Sequence, residues 1–251
     1  MKKIICILMV LIPILLYGQQ TEGEITFNQK IKIKIDFPEG QEEMAKMFPS
    51  EQNFKKTLLF TDSESLYFDK KEEESEKDMV IETEDENTSI KIVMVGAKDN
   101  REYKNLAKNS SIRKEDFFGK TFLITGEPKK YAWKLTGKQK EILGFQCQQA
   151  TFTEDSTTVI AWFSPEIPVS NGPGAYGALP GMILEVDVND GAMQLVAEEV
   201  NFRKIEKDEI TAPKKGKKVS AKKFEEIVDR KTKEMAEEMG GDGAGIKIEI
   251  N

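Results

Sequence analysis

Between Glu24 and Phe37 the chain alternates apolar and polar residues with a period of two. Ile25, Phe27, Ile31, Ile33, Ile35 and Phe37 take odd positions, and Glu24, Thr26, Asn28, Lys30, Lys32, Lys34 and Asp36 take even ones. On a helix those isoleucines would scatter around the circumference, whereas on a strand they share one face. The stretch therefore predicts a long strand with one buried and one wetted face, ended by Pro38 and Gly40. A chain that begins this way needs a core that a sheet can close over.

The rest of the sequence reads in the same key. Lys56–Lys70 holds two apolar runs about Asp62-Ser63-Glu64-Ser65, a hairpin pattern. Ser89–Val95, "REYKNL" from Arg101 and Lys120–Thr125 read as further strands, the last two joined by a polar connection. Trp133 and Leu135 end one strand, Thr136-Gly137-Lys138 turns, and Ile142, Phe145, Cys147 and Phe152 lie in the next, with Gly144 as a bulge or bend. Thr157–Ser164 is a strand stopped by Pro165, and "GMILEVDV" and "AMQLVAEEVNFRKI" pair around Asn189-Asp190-Gly191.

Gln41–Pro49 reads as a short helix, and Lys70–Asn87, acidic and almost without apolar residues, as a flexible loop. Ala212–Lys218 is a basic linker. Ser220 caps a helix to about Met239, in which Phe224, Ile227, Val228, Met235 and Met239 keep helical spacing, and Ile246–Ile250 is a last strand. The fold class expected is mainly β: about ten strands, mostly antiparallel, in a single curved sheet or half-barrel with one or two helices. A parallel α/β fold would need alternating helices.

Met1-Lys2-Lys3, the apolar run Ile4–Gly18 and the small Gly18 before Gln19-Gln20 have the order of a secretory signal peptide. The run is shorter than the roughly 20 apolar residues of a membrane span and contains Pro13. Residues 1–18 are therefore expected to be a leader and residues 19–251 a single exported domain without a transmembrane segment. Loss of Lys2 and Lys3 takes the formal charge from -7 to -9. Excess acid without a basic recognition module argues against nucleic acid as a partner. The periplasm, the outer membrane surface or the medium is the expected address.

The chain contains no histidine. That removes the usual Ser-His-Asp and Cys-His nucleophiles and H-E-x-x-H zinc sites. Cys147, the one cysteine after the leader, forms no internal disulfide and reads as a small core residue. The acidic runs lack the spacing of a calcium loop. No catalytic residue, cofactor or metal ligand is expected; a hydrolase reading would rest on carboxylates such as Glu166 or Glu185.

"NGPGAYG" contains a literal G-x-G-x-x-G at Gly172, Gly174 and Gly177, but a β-rich segment follows instead of the helix that would receive a phosphate. The glycines are better read as shaping a connection, with Gly177, Leu179, Pro180 and Gly181 as a structural turn into "MILEV". Substitution of Gly181 is expected to damage folding, and substitution of Gly172, in a more polar approach, to cost less. "GALPGMILEV" (Gly177–Val186) resembles the G-L-P-G-L-I signature of the GLPGLI family, with Ala178 and Met182 in place of leucines. Trp133–Ala150 and Ala161–Pro173 resemble that family's W…I-x-G-[YF]-x-C and A-W-[FY]-[ST]-x-E-I-P-x-x-x-G-P elements.

The family comprises exported Gram-negative proteins without assigned activity, so the resemblance implies export and transfers no catalytic residue. The hairpin order is also similar to that of periplasmic half-barrels of the lipoprotein-carrier (LolA-like) kind. The function expected is a non-catalytic cell-envelope binding protein for an apolar or lipidic ligand or an envelope protein. The alternatives are a structural or surface-assembly component and, behind both, a carboxylate-dependent hydrolase.

Overall fold

The computed structural model describes residues 20–36, 49–69, 79–85, 88–94, 99–239 and 247–250. The expected leader, the expected helix from Gln41 through Phe48, and Lys70–Asp78 lie outside them. In chain order the elements are β1 (Gly23–Asp36), β2 (Glu51–Phe60), β3 (Glu64–Asp69), β4 (Met79–Asp85), β5 (Thr88–Met94), β6 (Arg101–Asn105), β7 (Ser110–Phe117), β8 (Lys120–Gly126), β9 (Lys134–Ile142), β10 (Phe145–Glu154), β11 (Thr157–Ser164), β12 (Met182–Val188), β13 (Met193–Asn201), β14 (Lys217–Ser220), α1 (Ala221–Met239) and β15 (Lys247–Ile250).

One large sheet runs β14-β8-β7-β6-β3-β2-β1-β13-β12-β11-β10-β9, and β15 pairs with the far end of β1. The alternating stretch that opened the sequence is its spine, in register with β2 from Gly23 to Lys32 and with β13 from Glu24 to Ile31. The sheet is antiparallel apart from β14, which lies parallel to β8, and it stays open with β14 and β9 as its edges. The helix begins where expected: the Lys223 amide donates to Ser220 Oγ at 3.2 Å, an N-cap.

Several local readings are corrected. Met79–Asp85, expected in the acidic loop, is a strand paired with β5 in a separate hairpin; its leading Met-Val-Ile and the Ile90 and Ile92 opposite supply β-forming residues that the flanking charge obscured. The polar connection after "REYKNL" is itself a strand, β7, held by β6 and β8 on its two sides. The end of the basic linker is β14.

The β9–β10 turn falls at Leu143-Gly144, with φ of 53° and 85°, rather than at Thr136–Lys138. Gly137, with φ of 78°, sits instead where the register jumps from Gln148–Gln139 to Ala150–Leu135, a bulge. Turn and bulge are thus exchanged relative to the expectation.

Two apolar clusters form the core. Ile25, Phe27, Leu58 and Phe60 of β1 and β2 pack with Met182 and Leu184 of β12 and with Ile167 and Val169 from the β11–β12 connection. Phe152, Ala161, Phe163, Ile183, Val186 and Leu195 form the second, with Leu179 of the same connection. Helix α1 closes the other end, where Phe224 lies against Phe122 and Ile124 of β8.

Candidate functional site

The β11–β12 connection, residues 165–181, is where the signature residues lie. Pro168 and Pro180 fix φ in tight three-residue turns. The Val169 amide donates to the Ile167 carbonyl, the Asn171 amide to Val169 and the Gly181 amide to Leu179, each at 2.8 Å. The Met182 amide reaches Ile167 at 3.0 Å and the Ile183 amide Asn171 at 2.9 Å, so the connection is laced to the strand it feeds. Gly181 has φ of 151°, and a β-carbon there would run into the Ser164 carbonyl oxygen. Leu179 is buried, Pro180 is exposed at the tip, and the Gly177 carbonyl accepts the Trp133 indole N–H at 2.9 Å. The element after Gly177 is a strand, and no helix receives a phosphate there.

A residue that carries no mark in the sequence holds this connection from the other side. Lys104 of β6 is 3% exposed, and its ammonium donates to Asn171 Oδ1 at 3.1 Å, the Gly172 carbonyl at 3.2 Å and the Tyr176 carbonyl at 2.8 Å. Burial pushes it down from the usual lysine value to about 8, against a smaller upward pull from Glu102. Tyr176 stacks on Tyr131 (centroids 5.4 Å apart), and Tyr131 on Trp133 at 5.0 Å. Eight steps of strand order separate β6 from β9. The chain Lys104–Tyr176–Tyr131–Trp133 spans that gap, so the sheet is strongly curled and its own connection plugs the curl.

A polar wall adjoins the plug. Tyr67, Glu102 and Arg113 are consecutive cross-strand partners on β3, β6 and β7, so they project to one side. Burial, with Glu102 and Tyr176 nearby, pushes the Tyr67 phenol well above its usual range; Tyr131 is raised likewise by burial and then by Tyr176 and Glu102. Arg113 Nε lies 3.1 Å from Glu115 Oε2, an ion pair in which the Nε–H makes no hydrogen bond. Three further groups here lack a hydrogen-bond partner although buried: Ser65 Oγ, Tyr67 OH and Asn171 Nδ2.

The other candidates fall together elsewhere. Glu166 and Glu185 both flank Cys147. Glu166 Oε1 accepts the Gln146 amide at 2.9 Å, while Glu185 pairs with Lys140 at 2.7 Å, whose ammonium also sits 4.4 Å from the Trp162 ring centroid. Burial pushes the Cys147 thiol up to about 11, which leaves it a thiol at neutral pH. Among the described residues no cluster of ligands suits a metal ion, and no helix is long and apolar enough to cross a membrane. A separate groove of about 340 Å³ at the β2–β3 turn is lined by polar groups including Glu22, Asp62, Glu64 and Glu206.

The architecture defined so far is an open, curled antiparallel sheet plugged by its own signature connection. A family described as a protein of unknown function (Porph_ging) matches residues 152–185, the span from the end of β10 to the middle of β12. No curated protein matches the chain. Two solved structures of PNGF-II, in P21 and C2 crystals, are similar to it. They match over 84% and 82% of this chain with TM-scores of 0.53 and 0.50, both at 16% identity. The chain spans 33% of the length of PNGF-II in each case, and the likeness is one of fold.

Proposed function

We propose that this chain is an exported, non-catalytic binding protein of the cell envelope, related to the GLPGLI proteins, and that its partner is another envelope protein rather than a lipid. The observation that carries the reading is the plug. In a lipid-carrying half-barrel the concave face must stay hollow for an acyl chain. Here Ile167 and Leu179, no more than 3% exposed, fill it from within. A concave face occupied by the chain's own buried side chains has no place for a chain of methylenes.

What remains for recognition is surface, and the β9 edge offers it. Among the described residues this strand pairs with β10 alone; Leu135 within it is 62% exposed and Leu143 just after it 46%. A photo-crosslinking residue at Leu135, introduced in cells that export the protein, is expected to give a discrete adduct with one envelope protein. Stoichiometric lipid in the purified protein, with no adduct, would overturn the reading. The same free edge supports the second reading, a surface-assembly component; the adduct would then contain a second copy of this chain.

A further inference from the structure

We propose that the unpartnered buried donors beside Lys104 form a binding site for a monatomic anion, chloride being the abundant one. The Lys104 ammonium is shut off from water, yet its three partners are all neutral oxygens, and among the described residues no carboxylate forms an ion pair with it. A buried charge is tolerated when a counter-charge accompanies it.

The second observation is a set of buried donors with nothing to donate to. Asn171 Nδ2 has no partner, and its residue, 1% exposed, is fixed beside Lys104 by the 3.1 Å bond to Oδ1. Ser65, also 1% exposed and unpartnered at Oγ, is the direct cross-strand neighbour of Lys104. Tyr67 is two residues along the same side; its ring lies beneath Gly174, whose β-carbon would stand 3.8 Å away, and its hydroxyl is likewise unpartnered. One amide N–H₂ and two hydroxyls next to a cation offer hydrogen atoms and positive potential. A metal ion would find no carboxylate among them. A water molecule would satisfy the donors but leave the ammonium without a counter-charge in contact. Burial of all three donors limits the ligand to the size of an ion.

The other charged or titratable groups facing these donors are Glu102 on β6, Arg113 opposite it on β7, and the phenols of Tyr131 and Tyr176. Arg113 is ion-paired with Glu115, and Glu102 acts on the Lys104 ammonium through space without an ion-pair contact, so among the described residues no carboxylate touches it. A bound anion would brace the connection from beneath, because Asn171 and Tyr176 belong to it.

The test uses the folded domain and two halide readouts. Crystals containing sodium bromide are expected to show an anomalous peak within hydrogen-bond reach of Asn171 Nδ2 and Ser65 Oγ. Thermal unfolding in sodium chloride against sodium gluconate, at fixed ionic strength, is expected to give a Tm higher by about 3–5 °C, the shift a roughly tenfold excess of ligand over its Kd gives a domain of this size. Ser65→Ala should at least halve that difference and Lys104→Met abolish it; if the lysine variant fails to fold, the serine variant decides. Equal melting in the two salts, with density fitting water and no bromide peak, would overturn the proposal.

Discussion

Gly172 and Gly181 stand nine positions apart in one connection and are constrained by different physics. At Gly181 the backbone itself is the obstacle: φ of 151° is a region that side-chain-bearing residues avoid, and the Ser164 carbonyl occupies the β-carbon position. Gly181→Val is expected to cost the roughly 1–3 kcal/mol of such strain and further clash energy on top of it. At Gly172 the obstacle is packing, since a β-carbon would lie 2.8 Å from Ile183 Cβ, well inside contact distance.

The reason for expecting Gly172 to cost less, an approach with few apolar neighbours, does not hold, because Gly172 is buried against Ile183. The polar letters Asn-Gly-Pro conceal a buried segment, and Gly172→Ala should cost about 1–3 kcal/mol by overpacking. Lys104→Met should exceed it, at about 3 kcal/mol or more, because Asn171 Oδ1 and two carbonyls lose their donor inside the protein. Chemical denaturation of the three variants beside wild type checks the order.

Among the elements, the hairpins show how far local sequence reaches. Asn189-Asp190-Gly191 was legible because all three residues take positive φ, at 49°, 55° and 84°, and their types announce it. Leu143-Gly144 was not. Leucine is among the residues least suited to a φ of 53°, so the eye places the turn at Thr136-Gly137-Lys138, and only the pairing of Phe145 with Ile142 settles the matter. Leu143→Asn should accordingly raise stability by about 1 kcal/mol, the relief of a left-handed β-bearing residue. A melting temperature that fell would mean the leucine makes contacts that outweigh its strain.

The strand periodicity of β1, the capped helix and the closing strand β15 were readable because each obeys one local rule. The candidate site was not: Lys104, Tyr131 and Tyr176 come from β6, the approach to β9 and the signature connection, and only the curl of the sheet unites them. A lysine in "REYKNL" carries no mark of burial. The charged segment around β4 erred in the opposite direction, its acids hiding the apolar run that pairs.

For the molecule as a whole, burial shifts two kinds of group in opposite senses, and together they set how stability follows pH. Burial pushes Lys56 and Lys104 down to about 8 from the ordinary 10.5. Between those values the unfolded chain holds protons that the folded one has released, so these lysines make stability rise with pH. Burial pushes the phenols of Tyr67, Tyr131 and Tyr176 upward, Tyr176 to about 12. Above pH 10 the unfolded chain gives up phenolic protons that the folded one keeps, so there the tyrosines make stability fall. Urea midpoints measured from pH 7 to 11 should therefore climb from about pH 8, crest near pH 10 and then drop. Tyr176→Phe, which keeps the stacked ring, should soften the drop alone. Lys104→Met should flatten part of the climb and leave the drop in place. Chloride should flatten it too, since an anion beside the ammonium favours its protonated form and narrows the gap between folded and unfolded lysine. A climb of the same steepness in chloride, in gluconate and in the Lys104 variant would show that Lys104 takes no part in it, and would place the charge of this buried site elsewhere.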